Sequence, residues 1–134
     1  MKRVTAKKDR EQQIVLVVED DPSLGTLVAK HLENMGYLVF KVDNGEAALN
    51  WLAHNTCPAL ICLDLALPLM SGFRVCEHIR STPRISEVPV LVITARSTVQ
   101  DHTFALEMGA DAFLEKPFKL KDFEHEVTAL IADD

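Results

Sequence analysis

The 134 residues suffice for one domain built around a single core, and a second domain is not expected. Hydrophobic residues make up 48% and charged ones 25%, and no apolar run approaches the roughly 18 residues of a membrane span, which argues against membrane insertion. The formal charge of -6 is uneven: five basic residues crowd the first ten, so from Glu11 onward nine basic residues face nineteen acidic ones, an acidic body that argues against direct nucleic-acid binding.

Residues 1–13 read as a basic N-terminal extension carrying Lys2, Arg3, Lys7, Lys8 and Arg10. It has no apolar h-region and is not a secretory signal. From residue 14 short apolar runs alternate with helical segments, the pattern of α/β folds. The first run, Ile14 to Val18, leads to Glu19-Asp20-Asp21. Asp21 before Pro22 is a good N-cap ahead of a first-turn proline. The helix to Met35 places Leu24, Leu27, Val28 and Leu32 at helical spacing, with Gly36 as its C-terminal cap.

A second strand is expected from Tyr37 to Val42, a helix from Gly45 to His54, and a third strand from Ala59 to Leu63 ending in Asp64. After the loop Leu65 to Ser71 come a helix from Gly72 to Arg80 and a strand from Val88 to Ile93 ending in Thr94-Ala95. A helix from Thr98 to Met108, closed by Gly109, leads to a fifth strand, Ala112 to Leu114, followed by Lys116-Pro117 and a helix from Lys119 to Ile131. The runs IVLVV, ALICL and VPVLVI are nearly continuous, which fits parallel strands covered on both faces. Five β/α units of this length predict a doubly wound five-stranded parallel sheet of order 2-1-3-4-5, whose ligand crevice lies at the carboxyl ends of strands 1 and 3. Cys57, Cys62 and Cys76 are odd in number and lack C-x-x-C spacing, so no disulfide framework or structural zinc is expected and a reduced, cytoplasmic setting follows.

The crevice gathers carboxylates where a nucleotide-binding fold would present glycines. Acidic residues after one strand are often only caps, but here two separate segments deliver them to the same switch point. Such a site repels phosphate unless a cation intervenes, and hard oxygen ligands suit Mg²⁺, or Mn²⁺. Asp20 and Asp64 are the expected direct ligands, with the Ala66 backbone carbonyl as another and Glu19 acting through water. Thr94 places a hydroxyl at the crevice, and Lys116 can reach across it as a compact ammonium donor.

The set VLVVEDD, LDLALPLMSG, VITA, GADAF and EKPF resembles the receiver domain of two-component response regulators, over residues 14 to 131. The resemblance implies the flavodoxin-like (βα)5 fold for residues 14–134. It also implies Glu19 and Asp20 as an acidic pair, Asp64 as phosphoacceptor, Thr94 as switch hydroxyl, Lys116 as phosphoryl partner and a cis Lys116-Pro117 bond. Phe113 stands where this family often has a switching aromatic. The implied partners are a histidine kinase or histidine phosphotransfer protein, docking near Leu24 and Leu27, and a downstream protein target that reads the face of helix 4, strand 5 and helix 5. The implied chemistry is self-catalysed phosphorylation and dephosphorylation rather than turnover of a substrate. Ala66, two residues beyond Asp64, departs from the family in offering neither an amide nor a charge to steer water toward the phosphoryl group, and Arg96, two beyond Thr94, is expected to add a cation at the crevice rim.

Competing readings fit less well. A haloacid-dehalogenase-type phosphatase needs D-x-D, and Asp64 is followed by Leu65-Ala66. A flavodoxin-like cofactor module would want Ser, Thr and Gly after strand 1. Helix 5 has no arginine of the kind that pairs DNA-binding regulators, and the chain ends directly after it. A stand-alone regulator is therefore expected, with a receiver fragment of a longer regulator, or a degenerate receiver acting by binding alone, as alternatives.

Overall fold

The computed structural model describes residues 13–131, so residues 1–12 of the basic extension and residues 132–134 lie outside the described residues. Five strands, β1 (Ile14–Val18), β2 (Leu38–Val42), β3 (Leu60–Leu63), β4 (Val90–Thr94) and β5 (Ala112–Glu115), form one parallel sheet in the order β2-β1-β3-β4-β5. Gln13, assigned above to the extension, is already tied to the sheet, its carbonyl accepting from the Leu38 N–H at 3.0 Å. The helices are α1 (Pro22–Asn34), α2 (Gly45–His54), α3 (Gly72–Ser81), α4 (Val99–Glu107) and α5 (Leu120–Leu130). A one-turn 3-10 helix at Pro83–Ile85, not signalled by the sequence pattern, leads into β4. It delays that strand from the expected Val88 to Val90, because Val88 N–H bonds back to Ile85 and Pro89 has no N–H to give the ladder.

Side-chain alternation divides the core into two layers. Leu16, Val18, Ile61, Leu63, Val90 and Val92 pack with α2, α3 and α4 through Leu52, Ile79 and Ala105. Val15, Val17, Leu60, Cys62, Leu91 and Ile93 pack with α1 and α5 through Val28, Leu32, Phe123 and Val127. Strands β1, β3 and β4 are buried on both faces, which is why they read as unbroken apolar runs. Helix α1 turns Gly25, Val28, Ala29 and Leu32 inward, a stripe at i, i+3, i+4 and i+7. Leu27, counted above among the helical apolar set, is off that stripe and 48% exposed.

The helix caps hold the elements in line. Asp21 Oδ1 accepts from Ser23 N at 3.0 Å and Leu24 N at 3.4 Å, confirming it as the α1 N-cap. Gly36 and Gly109 follow α1 and α4 at φ 103 and 112, left-handed values that suit glycine. At the entry ends of β4 and β5, Arg80 donates to the carbonyls of Gly109, Ser86 and Val88 and pairs with Asp111 at 2.7 Å. The opposite, carboxyl ends are left open for a site.

Candidate functional site

Four strands deliver side chains to one crevice. Glu19 and Asp20 follow β1, Asp64 follows β3, Thr94 closes β4 and Lys116 follows β5. Asp64 is buried, and its Oδ1 accepts from the Ala66 N–H at 3.0 Å. The chain can turn so tightly behind it because Gly72 packs on its backbone: a Cβ at Gly72 would stand 2.2 Å from the Asp64 carbonyl oxygen. The Gly72 N–H bonds the Leu65 carbonyl at 2.9 Å, which fixes the loop from Leu65 to Ser71 beneath Asp64.

Lys116 bridges the two acidic segments. Its Nζ lies 2.9 Å from Asp64 Oδ2 and 2.9 Å from Glu19 Oε1. The Lys116-Pro117 peptide is cis, as expected. Glu19 spends its other oxygen on the Asp21 N–H at 3.1 Å. Burial pushes the Glu19 carboxyl above its ordinary range despite the Lys116 bond. Lys116 shifts up as well: burial opposes its charge, and the bonds to Asp64 and Glu19 outweigh that cost. Of the two ends of this pair, Lys116, held by two carboxylates, keeps its charge more firmly than Glu19.

Carboxylate oxygens of Glu19, Asp20 and Asp64 lie within 4.8 Å of one another, with Asp20 exposed at the mouth. A set of hard oxygen donors on a shallow, partly open site fits Mg²⁺, which keeps several waters when bound. Ala66 is exposed beside Asp64.

Thr94 is fully buried, and its Oγ1 accepts from the Arg96 N–H at 3.2 Å. Arg96, expected as a cation at the crevice rim, is engaged by protein partners. Its guanidinium pairs with Asp101 Oδ1 at 2.9 Å and lies 5.3 Å from the centroid of the Phe73 ring, a cation–π contact that draws it toward α3 and α4. Asp101 had no signal in the sequence, since only the turn into α4 brings it back to Arg96. Phe113 is half-buried and stacks on His102 of α4, centroids 4.5 Å apart.

Beside the crevice a pocket of about 370 Å³ is lined by Leu24, Leu27, Lys116, Pro117 and Phe118 among others. It puts the two leucines expected at a docking site next to Lys116. Among the described residues no helix is long and apolar enough to cross a membrane.

The family model of the response regulator receiver domain matches residues 15–128. The DNA-binding dual master transcriptional regulator RpaA of Synechocystis is 38% identical over 117 residues, 87% of this chain and 48% of that protein. The chain spans about half the length of the curated relatives it matches. The signal receiver domain of a signal transduction histidine kinase from Syntrophus aciditrophicus superposes with a TM-score of 0.83 at 32% identity, covering 90% of this chain and 91% of that one. The receiver domain of a Pseudomonas aeruginosa sensor histidine kinase, solved with magnesium coordinated in its active-site cleft, gives 0.82 at 28% identity, over 90% and 98% of the two chains.

Proposed function

The chain belongs to the response regulator receiver domain family, and from that premise we propose that it is a phosphorylation switch whose Asp64 takes a phosphoryl group from a histidine kinase or histidine phosphotransfer protein. The observation that carries this reading is the Asp64 carboxylate, held 2.9 Å from the Lys116 ammonium within an acidic cluster. An Asp64 oxygen forms a bond to phosphorus as the bond from phosphorus to the donor nitrogen breaks, and the electron pair leaves with the imidazole. Lys116 pairs with a phosphoryl oxygen once Asp64 is occupied. Asp20, Asp64 and the Ala66 carbonyl would hold Mg²⁺, with Glu19 acting through water. When bound there, the cation supplies charge neutralisation for the phosphoryl oxygens.

Thr94 follows the phosphoryl group by hydrogen-bonding one of its oxygens. The signal then passes to Phe113, whose stack on His102 couples β5 to α4, and to the face of α4, β5 and α5. Val99 and Leu106 of α4 are 79% and 48% exposed, apolar surface that suits a protein target. Half-length coverage of the curated relatives supports a second reading, in which these residues are the receiver part of a longer regulator.

Intact mass after exposure to acetyl phosphate tests the assignment. The parent should gain one phosphoryl group with Mg²⁺ and none under chelation, and Asp64→Asn should gain none. A parent that stays unmodified with Mg²⁺ would favour a degenerate receiver acting by binding alone.

A further inference from the structure

The loop between β4 and α4 is fastened at every polar side chain, to Asp101 through Arg96 and Thr98 and to Glu115 through Ser97, and the Arg96 backbone ties it to Thr94. Arg96 gives its backbone N–H to the Thr94 hydroxyl at 3.2 Å, while its guanidinium reaches forward to Asp101 at 2.9 Å. Asp101 is itself fixed, its Oδ2 accepting the Thr98 hydroxyl at 2.9 Å and its N–H bonding Thr98 Oγ1 at 3.0 Å. The Thr98 hydroxyl first, and Arg96 with it, hold the Asp101 carboxyl below its ordinary range, so it stays an anion at neutral pH. Phe73 lies under the guanidinium at 5.3 Å and faces Phe104 of α4 at 4.7 Å. Ser97 closes the other side, donating to Glu115 at 2.8 Å, one residue before Lys116.

We propose that Arg96 is a positioning residue whose ion pair with Asp101, seated over Phe73, latches the β4–α4 loop and so holds the Thr94 hydroxyl back from Asp64. The inference rests on the reading of Asp64 as phosphoacceptor. The hydroxyl travels with the Arg96 backbone. For Thr94 to approach a phosphoryl group on Asp64, that backbone must move or release the hydroxyl, and the guanidinium anchor resists both. Phosphorylation therefore proceeds against the latch, and loosening the latch favours the arrangement that receives the phosphoryl group.

Asp101→Asn tests this, since the amide oxygen can still accept the Thr98 hydroxyl while the negative charge facing Arg96 is lost. With acetyl phosphate and Mg²⁺, the P–O bond to acetate breaks as the Asp64 oxygen bonds phosphorus. The variant should be phosphorylated roughly twofold to fivefold faster than the parent, the scale of one half-exposed ion pair. Arg96→Gln should match it, and the double variant should be no faster than either alone. Arg96→Lys, which keeps the charge without the planar face on Phe73, should fall between. In the unphosphorylated protein, amides 95–99 should exchange hydrogen faster in Asp101→Asn, with the exchange of β1 and β3 unchanged. Parent-like exchange in Asp101→Asn overturns the latch, as does an effect confined to Arg96→Gln, which would place that cation directly on the phosphoryl group. A parent that gains no phosphoryl group overturns instead the reading of Asp64, and the exchange comparison then decides the latch alone.

Discussion

Lys116 Nζ stands 2.9 Å from Asp64 Oδ2, joining two strand ends that lie 52 residues apart in the chain. The same ammonium touches Glu19, so one cation balances two carboxylates in a crevice where each side chain is mostly shielded from water. Lys116→Met removes that balance and leaves two neighbouring anions without a counter-charge. We expect the variant to lose about 1–3 kcal/mol in the presence of chelator. Added Mg²⁺ should restore more stability to Lys116→Met than to the parent, because a cation bound only by the folded state stabilises it by mass action. Urea denaturation with and without Mg²⁺ checks both parts. Equal responses to Mg²⁺ would show that the ammonium and the metal do not share a site.

Glu19 carries the opposite electrostatic sign of effect. Its folded-state affinity for a proton is raised, chiefly by burial, above the ordinary value of 4.5. A group raised in this way favours folding fully below its unfolded value, and that contribution fades as pH climbs through the folded one. Glu19→Gln cannot titrate. Under chelation the stability of the variant relative to the parent should therefore increase as pH rises upward from 4.5. Denaturation midpoints at half-unit steps measure the difference, and a difference that is flat or falls with pH rejects the burial cost.

The cysteines should separate sharply in thiol reactivity. Burial pushes Cys62 up to about 12, and Cys76 up to about 11, where Arg80 offsets part of the burial effect. At pH 8 the thiolate fraction is then about one in ten thousand for Cys62 and one in a thousand for Cys76. Cys57 is exposed. Timed labelling with a maleimide should modify one thiol quickly in the native protein and all three in denaturant. Rapid labelling of Cys62 in the native state would mean that the layer under α1 and α5 opens readily.

The sequence disclosed what local chemistry dictates. Ile14 to Val18 forms the expected strand, because a run buried on both faces has no other use in so short a chain. Asp21, Gly36 and Gly109 sit where their caps were expected, since each answers a demand made within a few residues. Glu19, Asp20 and Asp64 converge because parallel strands all present their carboxyl ends to one edge. What stayed hidden depends on partners far along the chain or on helix phase. Arg80 gathers groups from Ser86 to Asp111, and no spacing in the sequence announces that. Leu27 looks like core by type, yet Gly25 and Ala29 take the inward stripe and leave it outside. Arg96 looked like a cation over the crevice, and only the first turn of α4 shows that Asp101 claims it.

The loop after Asp64 and the first residue of α3 offer two substitutions of opposite sign, at Leu69 and Gly72, close in sequence to the proposed acceptor. At Gly72 an added Cβ would meet the Asp64 carbonyl oxygen at 2.2 Å and the Leu65 Cα at 2.7 Å, both backbone atoms that no rotamer change can move aside. Gly72→Ala should cost roughly 2 kcal/mol or more, because overpacking here displaces main chain. Leu69, by contrast, is 75% exposed and sits at φ 71, a left-handed conformation that its Cβ disfavours. Leu69→Gly relieves that strain, loses little packing and gives back part of the gain through the greater freedom of the unfolded chain. A net rise of roughly 0.5 kcal/mol is expected. Paired urea melts of the two variants, with acetyl phosphate labelling of each, separate loop stability from acceptor geometry. Leu69→Gly should label like the parent, whereas Gly72→Ala should label slowly even under conditions where it is fully folded, since the atom it displaces belongs to Asp64 itself. Normal labelling of folded Gly72→Ala would mean that the close backbone approach serves only the turn and not the carboxylate above it.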